Sequence, residues 1–393
     1  MTRPRLLFHC QHSLGLGHLV RSLALADALA ADFDVVLLNG GRFPAGFTVP
    51  SGVDVIDLVP LGHDADQRLI SHDPAFTVAE AQQARRDRIL RAFDDVDPAV
   101  IVVELYPFGR TKFEPELGPL LHRAAALGPR RPRIVCSVRD ILVDRRGKQL
   151  AHDERACQRA NEHLDTILVH ADPAFARFEE SFRPATALRV PVHHTGFVVP
   201  RRPYRSAPLV PLTRVIVSAG GGIVGGPLFA AAVDAHRAIH ERTGLATLVV
   251  AGPFVPDPVW DRLVEEATAS PHLEVVRSVD DLASAIGRST VSISQGGYNT
   301  TMDLLAAGTP AIVVPYVADA EDEQHRRTVR LAGMGVLRRL PSDRLTPLRL
   351  VDEVVAAIGA DVPPTTLDMT GAQTSARIVA ELAEVSSMAQ VAR

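Results

Sequence analysis

The chain has 393 residues, of which 46% are hydrophobic and 22% are charged. This length and composition exclude a disordered protein and favour two domains of ordinary size. The formal net charge of -4 gives no broad positive field, so nucleic acid is not expected as a partner.

Apolar runs alternate with segments of helical period along the whole chain, which predicts parallel sheets wound by helices. In the first half the predicted strands are 6–10, 34–38, 53–58, 99–103, 133–138 and 166–169, and the clearest helices are 19–31, 78–93 and 117–127. Segment 199–213 is rich in proline and arginine and has no period, so it is interpreted as a linker.

The second half repeats the alternation, with predicted strands at 214–218, 246–250, 273–276, 290–294 and 311–314. A last amphipathic helix, 373–385, is expected to cross back to the first domain, by analogy with two-lobed enzymes. The prediction is an α/β fold with two Rossmann-like, doubly wound domains that face a central cleft. Their bounds are 1–198 and 214–372, joined by the linker 199–213 and followed by the C-terminal segment 373–393.

The cysteines and the N-terminus predict the compartment. The three cysteines lie far apart without CxxC spacing, which favours a reducing environment and argues against disulfides and zinc. The N-terminus leads directly into a strand-like segment, and no apolar run reaches the roughly 18 residues of a membrane span. We therefore expect a cytoplasmic protein without a signal peptide, a transmembrane anchor or a metal site.

The loop after the first strand, QHSLGLGH, opens a helix. Gly15 and Gly17 allow the backbone to approach a ligand, and His18 falls in the first helical turn, facing the cleft. A plain strand-to-helix turn with a capping histidine is the alternative. A dinucleotide site is disfavoured because Val20 replaces the third glycine of the fingerprint and Asn39, not an acid, ends the second strand.

The loop after the first strand of the second half, SAGGGIVGGP, also opens a helix. Backbone amides of Gly220, Gly221 and Gly222 are predicted to wrap a diphosphate without lysine or metal. The loop is not a P-loop, since no Gly-Lys-Ser/Thr follows. The alternative is a purely structural turn.

A third loop, QGGYNTTMD, follows the strand 290–294. Gly297 allows a tight turn, and the N-terminus of the next helix is expected to face the cleft. Asp303 lies about one helical turn inside, where it can accept hydrogen bonds from two sugar hydroxyls. An ordinary exposed helical aspartate is the alternative.

These motifs resemble those of MurG-like glycosyltransferases, which carry a family 28 C-terminal domain. Segment 278–310 resembles the donor-binding segment of the UDP-N-acetylglucosamine transferase that makes the peptidoglycan lipid intermediate, and Gly15-Leu16-Gly17-His18 resembles its N-terminal glycine-histidine loop. Over nearly its whole length the chain is more similar to a group of bacterial predicted glycosyltransferases, through segments 137–142 and 294–300. The resemblance implies the GT-B fold.

Carried over residue by residue, the resemblance implies a set of donor-binding residues. Asp303 would bind the ribose hydroxyls, where the better-known enzyme has a glutamate. Val279 would present its backbone to the base, which suits uracil, and Gln324 would hold sugar hydroxyls of the donor. The matching turn motif adds Gly296, Asn299 and Thr300, whereas the glycine loop 220–226 departs from the family's Gly-Gly-Ser-Gln-Gly pattern.

Two acids follow apolar strands directly and are expected to point into the same cleft as His18. Glu104 ends the strand 99–103, and Asp140 follows Arg139 after the strand 133–138. Partial burial can raise the pKa of such an acid, so both are candidate bases on the acceptor side. Structural acids in ion pairs are the alternative.

The predicted function is a metal-independent, inverting transfer of the hexosyltransferase type. The co-substrate would be a nucleotide sugar, most simply a UDP-sugar, with no cofactor, and the acceptor would be a small-molecule or lipid-linked hydroxyl. His18 is the first candidate base, and Glu104 or Asp140 the second. Two alternatives stay open: a nucleotide-sugar hydrolase that uses water, and a non-catalytic nucleotide-sugar-binding subunit.

Four aromatic residues in predicted loops raise the question of peripheral membrane contact. Phe43, Phe47, Phe108 and Phe113 have basic residues nearby, as an interfacial surface would. The favoured interpretation is that they cap the cleft or the core, because isolated apolar residues in loops are common.

Overall fold

The computed structural model describes residues 3–12, 17–44, 47–64, 68–144, 147–201, 212–317 and 322–391, of which 386–391 are described as backbone only. They form two compact units. The N-terminal unit is built from residues 3–12, 18–201 and 367–391, and the C-terminal unit from Gly17 and residues 212–366. Most of the predicted linker falls on residues 202–211, which lie outside the described residues.

The strands of the N-terminal unit are β1 Arg5–Cys10, β2 Asp34–Asn39, β3 Val53–Asp57, β4 Leu61–His63, β5 Leu69–Ser71, β6 Val100–Glu104, β7 Arg133–Arg139, β8 Thr166–His170 and β9 Val192–His194. Seven of them form a parallel sheet in the order β3-β2-β1-β6-β7-β8-β9. The other two, β4 and β5, form an antiparallel hairpin.

The helices that wind this sheet are α1 Gly17–Leu29, α2 Val78–Val96, α3 Glu114–Ala125 and α4 Gln149–His163. Local chemistry sets their ends. Thr77 and Glu80 form a reciprocal capping box at the start of α2, and Asp97 ends that helix in the left-handed conformation.

The C-terminal unit repeats the plan. Its strands are β10 Leu212–Ser218, β11 Ala246–Val250, β12 Leu273–Val276, β13 Ser289–Ser294, β14 Ala311–Val313 and β15 Arg338–Arg339. They are parallel, in the order β12-β11-β10-β13-β14-β15. The helices are α5 Gly226–Thr243, α6 Asp257–Thr268, α7 Leu282–Gly287, α8 Tyr298–Ala307, α9 Glu323–Gly333 and α10 Pro347–Ala357.

The last helix, α11 Gly371–Val391, belongs to the N-terminal unit. Phe197 donates its amide to the carbonyl of Asp368 at 2.7 Å and accepts from the amide of Gly371 at 3.0 Å. A Cβ on Gly371 would lie 2.3 Å from the carbonyl oxygen of Gly196, so this close approach requires glycine. Within the described ranges, no helix has the length and apolar character needed to cross a membrane.

The architecture confirms the prediction of two doubly wound parallel sheets. Every predicted strand begins and ends within two residues of its observed bounds. The reason is burial: β6 and β8 are buried at all positions and β1 at all but its first. Strands covered on both faces read as continuous apolar runs, which the sequence shows directly.

Candidate functional site

The strand order of the N-terminal sheet marks one position for a ligand. The chain runs from β1 outward to β2 and β3 and then returns to β6 on the other side of β1. In open parallel sheets, ligands bind beyond the carboxyl ends of the strands where the order reverses. His18 lies in the first turn of α1, which follows β1, and Glu104 is the last residue of β6.

His18 and Glu104 form a hydrogen-bonded pair there. Glu104 ends β6, is 1% exposed, and its Oε1 lies 2.7 Å from Nδ1 of His18. Nη2 of Arg21, one turn further along α1, donates to the same oxygen at 2.5 Å. An ionised carboxylate only accepts, so this hydrogen bond assigns the imidazole proton to Nδ1 and leaves the lone pair on Nε2.

The surroundings keep His18 neutral and Glu104 ionised. Burial lowers the pKa of His18 to about 3; Glu104 opposes that shift, and Arg110 and Arg21 add to it. Burial alone would raise the pKa of Glu104, but the contact with His18 and the charges of Arg21 and Arg110 outweigh it and hold the pKa well below its usual range. The side chain of His18 is 20% exposed, so its neutral ring can reach a ligand.

The second predicted acid, Asp140, lies in the loop after β7, one strand beyond Glu104. Asp140 is 1% exposed, and Arg139 is the last residue of β7. The charges that act most strongly on His18 are those of Glu104, Arg110 and Arg21. The structure therefore brings Glu104, rather than Asp140, into contact with His18.

A second buried ion pair supports the loops around β1. Arg85 of α2 donates to both carboxylate oxygens of Glu116, each at 2.6 Å, and to Oε1 of Gln11 at 2.7 Å. Its Nη1 also donates to the carbonyls of Gly40 and Val59, at 3.0 and 2.8 Å. Arg85 thus ties the segments that follow β1, β2 and β3 to the helices α2 and α3.

The sequence analysis did not identify Arg85 and Glu116, because charged residues in helices are mostly solvated. A signal was present: Arg85 lies four residues from buried Ala81 and four from buried Ile89, on the apolar face of α2. Burial alone would raise the pKa of Glu116, but the hydrogen bonds and charge of Arg85, with a contribution from His9, outweigh it and lower the pKa to about 2.

The C-terminal sheet has an equivalent reversal between β10 and β13. The hydroxyls of Ser218 and Ser294, the last residues of these strands, lie 3.0 Å apart. Nε2 of Gln295 donates to the carbonyl of Val224 at 3.0 Å. The two predicted glycine loops of this unit therefore lie side by side, where a ligand is expected.

The glycines of the first of these loops serve two purposes. A Cβ on Gly222 would lie 2.1 Å from the carbonyl oxygen of Ala251, and a Cβ on Gly225 would lie 2.4 Å from the ring of Phe229. The amides of Gly222 and Gly225 both donate to carbonyls inside the turn, at 3.1 Å. Internal packing and hydrogen bonding therefore account for these two glycines without a ligand.

Gly220 and Gly221 differ from them. Gly220 has a φ of +56°, and a Cβ built on it would meet only Oγ1 of Thr300, at 4.0 Å. Within the described part of the chain, no backbone carbonyl accepts from the amides of Gly220 or Gly221. Unbonded amides beside a helix N-terminus can hold phosphate oxygens.

The second loop ends in α8, whose N-terminus lies beside Gly220. Gly297 precedes the helix and supplies no side-chain cap, so the first-turn amides, those of Tyr298, Asn299 and Thr300, have no partner inside the helix. They carry the partial positive charge of the helix dipole. Among the described residues, a Cβ on Gly297 would have one neighbour within 4 Å, Oγ1 of Thr300 at 3.9 Å.

Arg327 of α9 holds this turn from behind and was not identified from the sequence. It is 1% exposed, and its Nη1 donates to the carbonyl of Gly296 at 2.9 Å. Its guanidinium also lies over the ring of Tyr298, 5.8 Å from the centroid. A Cβ on Gly296 would lie 2.5 Å from Cγ2 of Thr328, so this glycine is needed for packing on α9.

Other predicted donor residues are distributed around α8. Asp303 is half-buried on α8, three residues after Thr300 and on the same face of the helix. Val279 lies in the loop before α7, which packs on α8. Gln324 is the second residue of α9, and its Oε1 accepts from the amide of Tyr316 at 3.0 Å, which fixes the side chain.

The glycines of the N-terminal loop are only partly observed. Gly17 is the first residue of α1. Gly15 lies outside the described residues.

Two of the four aromatics considered for membrane contact belong to the core. Phe108 and Phe113 are 3% and 1% exposed, and Phe108 packs edge-on against the rings of Phe178 and Phe182. The hypothesis of an interfacial surface is therefore wrong for these two, because their rings face the protein interior. Phe43 and Phe47 are half-buried and stack on each other at 5.9 Å.

Comparison with known proteins adds the family context. Residues 221–375 match the glycosyltransferase family 28 C-terminal domain. The chain is 28% identical to an uncharacterized glycosyltransferase of Methanopyrus kandleri, over 55% of each chain. It is 26% identical to a UDP-N-acetylglucosamine--N-acetylmuramyl-(pentapeptide) pyrophosphoryl-undecaprenol N-acetylglucosamine transferase of Sorangium cellulosum, over 58% of this chain and 56% of that one. The chain thus spans about half the length of these curated relatives.

The fold is shared with solved structures. The crystal structure of CalG4, the calicheamicin glycosyltransferase, matches with a TM-score of 0.58 and 17% identity, covering 98% of this chain and 95% of that one. The predicted GT-B fold is therefore confirmed.

Proposed function

We propose that this chain is a metal-independent, inverting glycosyltransferase. It has the GT-B fold, and its residues 221–375 match the glycosyltransferase family 28 C-terminal domain. It moves a hexose from a nucleoside diphosphate sugar to a hydroxyl acceptor. The observation that carries the proposal is the hydrogen bond of 2.7 Å between His18 and Glu104 at the ligand-binding end of the first sheet.

The donor diphosphate binds to backbone groups of the C-terminal unit. The open amides of Gly220 and Gly221 and the first turn of α8 supply donors and a partial positive charge, so no cation is needed to offset the phosphates. UDP is the proposed nucleotide, because the name of the Sorangium cellulosum relative specifies UDP-N-acetylglucosamine. Asp303 accepts from the ribose hydroxyls and Val279 presents its backbone to the base.

Two further contacts complete the donor site in this proposal. The Oε1 of Gln324 is taken by Tyr316, so its amide nitrogen is the group that would donate to sugar hydroxyls. Asn299 and Thr300 contribute through the first turn of α8.

His18 acts as the general base. Its Nε2 takes the proton of the acceptor hydroxyl while the acceptor oxygen bonds to the anomeric carbon and the bond from that carbon to the phosphate oxygen breaks. The electron pair leaves with the nucleoside diphosphate, which backbone donors stabilise. Attack opposite the leaving group inverts the configuration.

Glu104 is a positioning residue in this scheme. Its ionised carboxylate fixes the Nδ1 proton of His18 and stabilises the imidazolium that forms, as the acid of a catalytic triad does. It is 1% exposed and its Oε1 is already occupied by His18 and Arg21, so it is not proposed as the base. Asp140 and Arg139 remain acceptor-side residues, one strand further along the sheet.

We place this reaction in the cytoplasm. Cys10, Cys136 and Cys157 are all buried thiols without a disulfide, which suits a reducing compartment. The acceptor is a small molecule or a lipid-linked one, and the stacked pair Phe43 and Phe47 is where contact with a lipid would be sought.

A binding and turnover screen tests the proposal. UDP should raise the melting temperature more than ADP, GDP or dTDP, since a ligand at about 100 times its Kd adds about 2.7 kcal/mol of stability. UDP release from a UDP-sugar should then increase when the acceptor is present. Release that no acceptor accelerates would indicate a hydrolase, and binding without any turnover a non-catalytic subunit; either result would contradict the proposal.

A further inference from the structure

The loop that leaves β6, residues 105–110, is strained at both ends. Leu105 and Arg110 have φ angles of +64° and +56°, in the left-handed region that residues with side chains rarely adopt. The amide of Gly109 closes the turn on the carbonyl of Leu105 at 2.8 Å, and a Cβ on Gly109 would lie 2.7 Å from the Leu105 side chain. Strained backbone persists where surrounding structure enforces it, and it occurs preferentially at ligand sites.

The strain places the guanidinium of Arg110 beside Glu104 without a hydrogen bond. The side chain of Arg110 is 14% exposed, and its Nε lies 3.6 Å from Oε2 of Glu104. Within the described residues, the buried Nε of Arg110 and Oε2 of Glu104 have no hydrogen-bond partner. A guanidinium has five N–H donors, and a buried donor that has no acceptor lowers the stability of the folded protein.

Arg110 lies near two other guanidinium groups. Besides Glu104, the charges of Arg139 and Arg21 act on it. Cys10 adds no negative charge, because burial and the nearby Glu104 raise the pKa of its thiol to about 12. Oε1 of Glu104 is already occupied by His18 and Arg21, so only Oε2 faces Arg110. Arg110 therefore has a charged neighbour but no paired hydrogen bonds to it.

We propose that Arg110 binds an anionic group of the acceptor, a carboxylate or a phosphate, next to the hydroxyl that His18 deprotonates. The inference rests on the proposed function and names the class of acceptor. Arg110 is placed for this role because it neighbours the same carboxylate as His18, at Oε2 rather than Oε1, and its charge acts on His18. Guanidinium groups bind carboxylates and phosphates through paired hydrogen bonds, which Glu104 does not make with Arg110.

An anion at Arg110 would also improve the base. Arg110 is among the charges that keep the pKa of His18 low, so a bound anion would offset that charge and raise the basicity of Nε2. The other charged groups acting on His18 are Glu104, which raises its pKa, and Arg21, which lowers it. An anionic acceptor would thus strengthen the base that it needs.

Calorimetric titration with inorganic phosphate, pyrophosphate and malonate, in saturating UDP, tests the proposal. The proteins are the wild type, Arg110→Met, Arg110→Lys and the control Arg123→Met, which removes an exposed arginine paired with Asp94. At least one anion should bind the wild type and the control equally. Its Kd should rise about 10- to 100-fold in Arg110→Met and by less in Arg110→Lys, because the charge is lost in the first and kept in the second.

Three results would overturn the inference. Equal anion affinity in the wild type and Arg110→Met would show that Arg110 does not form an anion site. Absence of binding of all three anions to the wild type would do the same. If Arg110→Met weakened UDP by the same factor as the anion, Arg110 would serve the donor diphosphate instead of the acceptor.

A labelling experiment keeps the test valid if Arg110→Met does not fold. Phenylglyoxal modification of the wild type, followed by peptide mass spectrometry, should show that the anions protect Arg110 and leave Arg123 unprotected. Equal labelling of Arg110 with and without anion would contradict the proposal.

Failure of the proposed function can be distinguished from failure of this inference. If UDP does not bind, the proposed function fails, whereas dependence of anion binding on Arg110 can still be measured without UDP.

Discussion

The two units share the topological position at which open parallel sheets bind ligands, but different chemistry lines it. In each sheet the chain order reverses beside the first strand, between β1 and β6 or between β10 and β13. The N-terminal position holds ionisable side chains, those of His18, Glu104 and Arg21. The C-terminal position holds open glycine backbone and the start of α8. The topology of the sheet sets the expected position of a ligand, and the residues of the loops set the chemistry available there.

The difference has a physical consequence. Backbone amides do not titrate, so a turn made of them can hold an anion over a wide pH range and cannot move a proton. Side chains such as His18 can take a proton, but their protonation depends on burial and on neighbouring charges. Proton transfer is therefore expected from the N-terminal unit and anion binding from the C-terminal unit.

The largest effect is expected when the base is removed. His18→Ala should lower kcat by about 10²- to 10⁴-fold, the usual contribution of a general base. UDP affinity, measured by calorimetry, should stay within about twofold of the wild type because donor binding depends on the other unit. His122→Ala, which removes an exposed histidine of α3, is the control. An equal loss of turnover and UDP affinity would show that His18 serves binding.

The next largest effect concerns the stability of the N-terminal unit in acid. The folded-state pKa of Glu116 is about 2, below its unfolded value of about 4.3. Its contribution is therefore present above the unfolded pKa and is lost as the pH falls from about 5 to about 2. Glu116→Gln should flatten that part of the pH dependence and cost about 3 to 5 kcal/mol at pH 7, because Arg85 loses its partner.

Urea unfolding from pH 2 to 8, read by hydrogen exchange within each unit, measures this effect. Glu381→Gln is the control, since it removes a carboxylate exposed on α11 that pairs with Arg377 four residues away. If Glu116→Gln and the wild type lost stability in parallel below pH 5, the buried pair would not be the source of the acid sensitivity.

A smaller effect is expected at the turn that precedes α8. Gly297→Ala should raise the Kd for UDP by about tenfold, since one displaced hydrogen bond to a charged group is worth about 1.5 kcal/mol. The fold should be unaffected, because Gly297 has a φ of -63° and the added Cβ would meet only Thr300, at 3.9 Å.

The control for this variant is Gly118→Ala. Gly118 lies inside α3, where a Cβ would meet only Glu114 at 4.0 Å, and alanine there should add about 0.5 to 1 kcal/mol of stability without changing UDP binding. Unchanged UDP affinity in Gly297→Ala would show that this turn is not part of the donor site.

Most strands of the N-terminal sheet could be predicted from the sequence, because strands such as β6 and β8 are covered on both faces and read as apolar runs. The hairpin β4–β5 and the edge strands β9 and β15 were not predicted. Each of these strands has two or three residues, too few to show a period. Helix α4 was not among the clearest helices, because its buried face consists of small or polar residues such as Ala156, Cys157 and His152.

The candidate site was predictable to the extent that topology determines it. His18 and Glu104 follow neighbouring strands, so their proximity could be expected from the strand order. That Arg21 shares an oxygen of Glu104 depends on side-chain conformation and burial, which no spacing reveals. The same holds for Gly222, whose role is packing against Ala251, a contact between distant parts of the chain.

Hydrogen exchange with and without UDP tests the central claim most directly. The account predicts that UDP slows exchange of the amides of Gly220, Gly221, Asn299 and Thr300, which lie in the glycine loop and the first turn of α8. Protection confined to other segments, or no protection at saturating UDP, would contradict it.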